Sequence, residues 1–207
     1  MILPLISSKR SGPLVLDASV AINLLGTGDA AAVLKALGRR AIITDRAFRE
    51  VRRHPLPERS HESELLALSD AELLKVVPVE GAAYDVFFEL ASANIAGGLD
   101  DGEAATIALA VAGNLDGVPV LDDRKARNVL GRRWPDCEPL FTVDMLTDLT
   151  VVGLIPQAEL AELVFRTLLH ARMRVPAHMR RQVVAMIGFD RARKCRTLGS
   201  GAHRDAA

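Results

Sequence analysis

Short apolar runs alternate with longer segments of mixed polarity along most of the chain. Three runs have the length and continuous apolar character of buried strands: "PLVLDAS" at 13–19, "AIIT" at 41–44 and "VPVLDD" at 118–123. A fourth, "LLKVVPV" at 73–79, contains a proline, which favours an edge position or a strand end. A last short strand is expected at "PLFT", residues 139–142.

The segments between these runs carry apolar residues at helical spacing. Glycines at 26 and 28 end the first segment, and Asp29 is placed to cap the second. Helices are therefore expected at 20–28, 30–38, 45–54, 62–69, 81–94, 101–112, 124–131, 143–155, 157–171 and about 176–187.

Apolar strands that take turns with helices predict a parallel sheet covered by helices on both faces. The expected fold class is α/β, a three-layer α/β/α sandwich with a central, mainly parallel sheet. A length of 207 residues suits one domain with an appendage. We expect the sheet domain to span residues 1–150, and a helical C-terminal extension with a basic tail to span residues 151–207.

Charge is distributed unevenly, although the net charge is zero. Residues 171–207 hold nine Lys or Arg and two acids, so this region carries +7 and the remainder −7. The two cysteines, Cys137 and Cys195, are too few for a disulfide framework or a four-ligand zinc site. The N-terminal segment has no export signal, and no apolar stretch is long enough to span a membrane. A cytoplasmic protein without membrane association is expected.

Acidic residues follow the predicted strands or lie in the helices that come after them. Asp17 ends the first strand, and Asp122 and Asp123 follow "VPVL". Ligands of open α/β sheets sit beyond the carboxyl ends of the strands, where the strand order reverses. Glu50, in the helix after the second strand, and Glu103, in the first turn of the helix opened by "LDDG", are expected to face the same crevice.

Each carboxylate also has a purely structural interpretation. Asp17 can accept turn amides, and Asp100 can cap the helix that follows it. Glu50 stands among arginines and can form ion pairs on a solvated helix face. One member of the Asp122–Asp123 pair can cap the next helix while the other binds a ligand.

A shared cation is the functional alternative. Neighbouring carboxylates raise each other's pKa and do not all ionise cheaply without a counter-ion. Mg²⁺ prefers oxygen ligands and keeps several waters, so a few carboxylates with a substrate phosphate suit it. The sequence has no dense set of His and Cys residues for zinc.

Four segments carry a resemblance to a known family. In order and spacing, "VLDASVAINLL", "TDRAFREV", "LDDGEAATIALA" and "VLDDRKARNVL" resemble the signature blocks of PIN-domain nucleases, in particular the VapC-like toxin ribonucleases of toxin–antitoxin pairs. The resemblance covers roughly residues 13–150. Within that range it implies a PIN-like sandwich as the catalytic domain.

The resemblance implies an endoribonuclease that uses Mg²⁺ or Mn²⁺ to cut single-stranded RNA. Its catalytic acids match Asp17, Glu50, Glu103 and Asp123 in this sequence. The implied metal ligands are Asp17, Glu103 and Asp123, with Asp122 close behind Asp123 and Asp101 able to assist or replace Glu103.

Five further residues are candidates for substrate binding. Ser19 resembles the hydroxyl residue that accompanies the first acid, and Asn23 lies one helical turn later, where a structural role is the alternative. Three basic residues lie near the predicted site: Arg124, Lys125 and Arg127. The basic C-terminal region can neutralise RNA phosphates, dock an acidic partner segment or remain solvated.

Partners follow from the implied activity. A free RNA-cutting enzyme is harmful, so a small antitoxin-like protein that fills the crevice is expected. A homodimer is expected through the apolar helices after residue 142.

Two other functions remain open at this stage. One is a catalytically silent PIN-like domain that binds RNA or protein and uses its acids structurally. The other is a phosphatase of the haloacid-dehalogenase type, which requires an acid two residues after the first, where this chain has Ser19. A GxxxxGK phosphate loop is also absent from the sequence.

Overall fold

A computed structural model describes residues 12–92 and 98–198. The N-terminal segment discussed for export, the end of the helix expected at 81–94 and the last nine residues of the basic tail lie outside the described residues. Among the described helices, none is by itself long and apolar enough to cross a membrane, whereas one pair, Ala18–Thr27 with Ala30–Leu37, bent by 108°, passes together on length and composition alone.

A four-stranded, all-parallel sheet forms the centre of the structure. Its strands are β1 (Leu14–Leu16), β2 (Ala41–Thr44), β3 (Leu74–Val77) and β4 (Val118–Val120). The strand order is β3-β2-β1-β4, so the chain moves outward from β1 through β2 to β3 and then returns to the other side of β1. In register, Leu14 pairs with both Ala41 and Val118. The strand order therefore reverses between β1 and β4, which is where an open α/β sheet leaves a crevice.

Alternate residues of the strands enter separate cores on the two faces of the sheet. Leu14 and Leu16 pack in the larger core, whereas Val15 between them packs with Ile42 and Leu109 on the opposite face. Burial on both faces explains why these strands read as continuous apolar runs. The prediction of a three-layer α/β/α sandwich is confirmed.

Twelve α-helices lie within the described residues, and all but three contribute to the larger core. Helices α5 (Ala82–Ser92), α6 (Asp101–Ala112) and α7 (Arg124–Arg133) instead pack on the opposite face. The other helices are α1 (Ala18–Thr27), α2 (Ala30–Leu37), α3 (Asp45–Glu50), α4 (His61–Asp70), α8 (Thr142–Leu146), α9 (Leu149–Leu154), α10 (Gln157–Arg166), α11 (Arg180–Ile187) and α12 (Phe189–Ala192).

Several predicted elements differ from the structure. The helix expected at 45–54 ends at Glu50, and the helix expected at 143–155 is broken because Asp148 accepts the N–H of Thr150 and starts α9. The strand expected at "PLFT" is reduced to a single parallel bridge between Val120 and Leu140. A short 3-10 turn, Ala177–Met179, precedes α11.

The end of the helix expected at 157–171 is not α-helical. After α10 the chain continues as a π-helical segment, Thr167–Ala171. This segment and α10 both pack against α1. Helices beyond residue 150 thus share the core of the sheet domain, and the boundary placed at that residue stays a prediction.

Candidate active site: an acidic cleft beside β1 and β4

A cleft of about 360 Å³ opens at the carboxyl ends of β1 and β4. Six acidic residues contribute to its lining: Asp17, Glu50, Asp100, Glu103, Asp122 and Asp123. Another cavity, of about 460 Å³, lies where α6 and α7 end and contains none of these six. The site therefore belongs in the smaller cleft, because like charges concentrate there at the point where the strand order reverses.

Asp17 follows β1 directly and is the N-cap of α1. One carboxylate oxygen accepts the backbone N–H of Ser19 at 3.2 Å and its hydroxyl at 2.6 Å. Asp17 is only 4% exposed. Burial, together with the charge of Asp100 and against the opposing hydrogen bond from Ser19, raises the pKa of Asp17 to about 6. Ser19 is thus placed to hold this carboxylate in position.

Glu50 is the last residue of α3, and its carboxylate is held against the first turn of α6. The backbone N–H of Gly102 donates to Glu50 Oε1 at 2.8 Å. A Cβ atom at position 102 would lie 2.5 Å from Glu50 Oε2, so any other residue there would make the Glu50 carboxylate move from its present position. Burial raises the pKa of Glu50, and the charge of Asp100 adds to that rise. Gly102 is a positioning residue that the sequence analysis did not select, although the glycine of "LDDGE" was visible.

Asp100 and Glu103 form a capping box at the start of α6. Asp100 Oδ1 accepts the backbone N–H of Glu103 at 2.8 Å, and Glu103 Oε2 accepts that of Asp100 at 3.4 Å. Burial, with a smaller contribution from the charges of Asp100, Asp17 and Asp123, raises the pKa of Glu103 to about 7. Both interpretations of this segment therefore apply, since the acids cap the helix and also face the other carboxylates.

Asp101 is placed differently from its neighbours. It is exposed in the first turn of α6 and does not line the cleft. Its charge reaches the site only as one of the smaller contributions that raise the pKa of Glu50. The structure does not bring Asp101 together with the other predicted metal ligands.

The two aspartates after β4 have different hydrogen-bond partners and therefore different roles. Asp122 is buried and accepts the hydroxyl of Thr142 at 2.5 Å, its backbone N–H at 2.8 Å and the side-chain amide of Asn23 at 2.6 Å. Burial raises the pKa of Asp122 despite these donors. Asp122 and Asn23 therefore tie β4 to α1 and α8, and this network already engages both polar side chains.

Asp123 faces the cleft and is the N-cap of α7. Burial tends to raise the pKa of Asp123, but hydrogen bonds from the Lys125 backbone and from Arg174 outweigh it, so the pKa is lowered. Asp123 Oδ1 accepts the N–H of Lys125 at 2.6 Å, and Arg174 Nη1 lies 2.7 Å from Asp123 Oδ2. Asp123 is consequently an ionised carboxylate at neutral pH.

The three basic residues predicted to hold substrate do not line the cleft. Lys125 Nζ donates to the carbonyl of Gly98. The guanidinium of Arg127 donates to the carbonyls of Leu121, Leu140 and Pro139 and stacks on the ring of Phe141 at 3.4 Å.

Arg124 is exposed at the start of α7. The cationic side chains that do line the cleft are Arg172 and Arg174, which the sequence analysis left within a general basic region.

Arg127 is better explained as an internal support of the loop after β4 than as a substrate contact, because its guanidinium donors are already engaged by backbone carbonyls.

The donor chemistry of the cleft suits a hard divalent cation. Asp17, Glu50, Glu103 and Asp123 offer only oxygen atoms, the ligands that Mg²⁺ prefers. Within residues 12–92 and 98–198, no group of three or more His, Cys, Asp or Glu side chains is arranged to hold a metal ion. Each of the four carboxylates is turned toward a donor of the protein itself, so reorientation would have to accompany cation binding.

The fold and the site define an α/β protein with an acidic cleft at its switch point. Residues 13–188 match the PIN-domain family, and the chain belongs to that family. The match extends past residue 150 and takes in α8 to α11. Comparison with curated proteins and with solved structures gives no match. PIN domains are generally nucleases and typically use divalent metals, so the family gives this chain a nuclease-type function.

Proposed function

We propose that this protein is a Mg²⁺- or Mn²⁺-dependent endoribonuclease that cleaves single-stranded RNA. The observation that carries the proposal is the gathering of Asp17, Glu50, Glu103 and Asp123, from four distant segments, in one cleft. Burial and mutual repulsion raise the pKa of Asp17 to about 6 and that of Glu103 to about 7. A fold that keeps carboxylates under this repulsion favours a cationic ligand.

Three carboxylates are the proposed metal ligands: Asp17, Glu103 and Asp123. Bound Mg²⁺ or Mn²⁺ would supply activation of a water and neutralisation of the charge on the phosphate and the leaving oxygen. Ser19 orients Asp17 through the hydrogen bond at 2.6 Å. Gly102 fixes Glu50, the fourth carboxylate of the set, at the edge of the cleft. Asp122 is assigned to support, since three donors from Asn23 and Thr142 already engage its carboxylate.

The test is cleavage of a labelled single-stranded RNA with Mg²⁺, with Mn²⁺ and with EDTA. Asp17→Asn and Glu103→Gln are expected to lower the rate by a factor of 10² or more, the order reported for removal of one electrostatic catalytic group. Glu62→Gln is the matched control, because Glu62 is an exposed glutamate in the first turn of α4 and lies outside the cleft. Equal rates in all four proteins, or cleavage that persists in EDTA, would contradict the proposal.

We also propose that the protein is the toxin of a toxin–antitoxin pair, works in the cytoplasm and forms a homodimer. Two arguments support this: an antitoxin would restrain a ribonuclease that is otherwise harmful, and the buried Cys137 and Cys195 form no disulfide. Exposed apolar residues on the C-terminal helices, among them Leu154 at 70%, offer a dimer face. Light scattering of the parent and of Leu154→Glu tests the dimer, and growth arrest on expression tests toxicity.

A further inference from the structure

Two arginines on the segment after the π-helix lie at the acidic cleft. Arg172 and Arg174 both line it and are exposed, whereas Met173 and Val175 are buried at 1% and 5% exposure. The buried side chains anchor the segment in the core, and the arginines that alternate with them are left at the cleft. Among the described residues that line this cleft, these two carry the only positive charges.

The backbone leading to the arginines is held firmly against α1. Thr167 Oγ1 lies 3.3 Å from the carbonyl of Asn23 and 3.0 Å from that of Leu163. Ala171 packs so closely on α1 that a Cβ at Gly26 would lie 2.7 Å from the Cβ of Ala171. The π-helical segment therefore has a fixed position relative to the carboxylates of the cleft.

The turn at Arg172 is the second unusual feature. Arg172 has a φ of 57° and ψ of 39°, the left-handed region that non-glycine residues rarely adopt. Such geometry is unfavourable for an arginine and persists only where the surrounding structure determines it. Both π-helical segments and left-handed residues are concentrated at functional sites.

We infer that Arg172 and Arg174 bind backbone phosphates of single-stranded RNA on either side of the bond to be cut. This inference rests on the proposed ribonuclease function. A polyanion approaching an acidic cleft needs compensating positive charge, and a guanidinium matches a phosphate with two parallel hydrogen bonds. The ion pair with Asp123, at 2.7 Å, holds Arg174 beside the carboxylates.

The second arginine distinguishes an RNA contact from a simple internal counter-ion. Arg174 alone is enough to neutralise the charge of Asp123. The Arg174 side chain is still 66% exposed in this ion pair. The backbone N–H of Arg172 donates to the carbonyl of Thr167, but its side chain makes no hydrogen bond or ion pair within the part of the chain that the structure describes. An exposed cationic side chain on a backbone anchored at the cleft, with no described partner for its charge, favours an anionic ligand.

The test of binding is fluorescence anisotropy with a 5′-labelled single-stranded RNA in EDTA, over a series of salt concentrations. Arg172→Gln and Arg174→Gln are each expected to weaken binding about tenfold, as for loss of a hydrogen bond to a charged group. Log K falls as log salt rises, and each variant should make this fall less steep by about 0.7. Arg132→Gln is the matched control, because Arg132 carries the same charge at the far end of α7.

Kinetics in Mg²⁺ or Mn²⁺ then separate positioning from chemistry. The glutamine variants are expected to raise KM about tenfold with little change in kcat, and the lysine variants to recover part of the loss. The proposal is overturned if the double variant behaves as Arg132→Gln, if the parent does not bind RNA, or if Arg174→Gln raises kcat. An RNA affinity unchanged in the variants but a weakened affinity for an acidic peptide would also overturn it.

Failure of the nuclease proposal gives a different pattern. In that case neither the parent nor any variant cleaves RNA, but RNA binding by the arginine variants still depends less steeply on salt than binding by the parent. If instead cleavage is normal and the slopes are unchanged, the arginine assignment alone is wrong.

Discussion

The carboxylate of Glu50 occupies the space that a side chain at Gly102 would need. Gly102→Ala is expected to displace Glu50 from the cleft, because the new Cβ would lie 2.5 Å from Glu50 Oε2. We expect RNA cleavage to fall by about 10², the order expected when a catalytic group is misplaced by about 1 Å. The hydrogen bond from Gly102 to Glu50 is lost at the same time.

Gly131→Ala provides the control for this substitution. Gly131 lies inside α7, and nothing is within 4 Å of a Cβ built there. Alanine at that position should leave activity unchanged and raise the free energy of unfolding by about 0.5–1 kcal/mol. Comparable activity in the two alanine variants would disprove a positioning role for Gly102.

Stability in the absence of metal should fall as the pH rises through the range in which Asp17 and Glu103 ionise. Folding raises the pKa of Asp17 from 3.8 to about 6 and that of Glu103 from 4.5 to about 7. Their contribution to stability is therefore fully present below about pH 4 and is lost as the pH rises through about 6 for Asp17 and about 7 for Glu103. For buried Asp17 the loss is about 3 kcal/mol. Urea denaturation at several pH values in EDTA measures it.

Urea denaturation of Asp17→Asn at the same pH values separates the contribution of Asp17 from that of Glu103. The variant should lose less stability than the parent between about pH 4 and 7, the range set by the pKa shift of Asp17. Added Mg²⁺ or Mn²⁺ should raise the Tm of the parent more at pH 8 than at pH 5, because protons compete with the cation. Identical pH profiles for parent and variant would count against a repulsive cluster around Asp17.

Asp122 and Asp123 are expected to respond in opposite ways to substitution. Asp122→Ala leaves the buried donors of Asn23 and Thr142 unsatisfied and should cost about 3 kcal/mol of unfolding free energy. Asp123→Ala removes the N-cap of α7, at a cost of about 1 kcal/mol, but should abolish RNA cleavage. Denaturation and cleavage assays on both variants test whether Asp122 is structural and Asp123 catalytic. Activity retained by Asp123→Ala would contradict the catalytic role of Asp123.

Arg127 should contribute to stability and not to RNA binding. Arg127→Gln removes hydrogen bonds to the carbonyls of Leu121, Leu140 and Pro139 and the stacking on Phe141, at a cost of about 2 kcal/mol. The salt dependence of RNA binding should match that of the parent, in contrast to Arg174→Gln. If RNA binding by Arg127→Gln depends less steeply on salt than binding by the parent, Arg127 contacts the substrate.

The strands and the convergence of acids were predictable because both depend on local pattern plus one rule of topology. Continuous apolar runs identified β1, β2 and β4, and parallel strands place their carboxyl ends on one edge. Asp17 and Asp123 could therefore be placed together without knowledge of any contact. The cap at Asp100 was equally local, since its partner Glu103 lies three residues away.

The features that the sequence did not reveal depend on contacts over long distances along the chain. The partners of Asp122 lie at Asn23 and Thr142, and those of Arg127 are backbone carbonyls, which leave no pattern in the sequence. Arg174 reaches Asp123 across 51 residues through a π-helical turn that helical periodicity does not encode. The break between α8 and α9 was hidden because apolar residues at helical spacing continue across it.

The long separation between Asn23 and the segments that support it has a consequence during synthesis. Asn23 contacts Asp122, 99 residues later, and Thr167, 144 residues later. A ribosome that has made only the first half of the polypeptide has released Asp17 and Glu50 without Asp123, Arg172 or Arg174. The complete cleft therefore cannot form on a growing chain before residue 174 has been made, because its lining includes Asp123, Arg172 and Arg174.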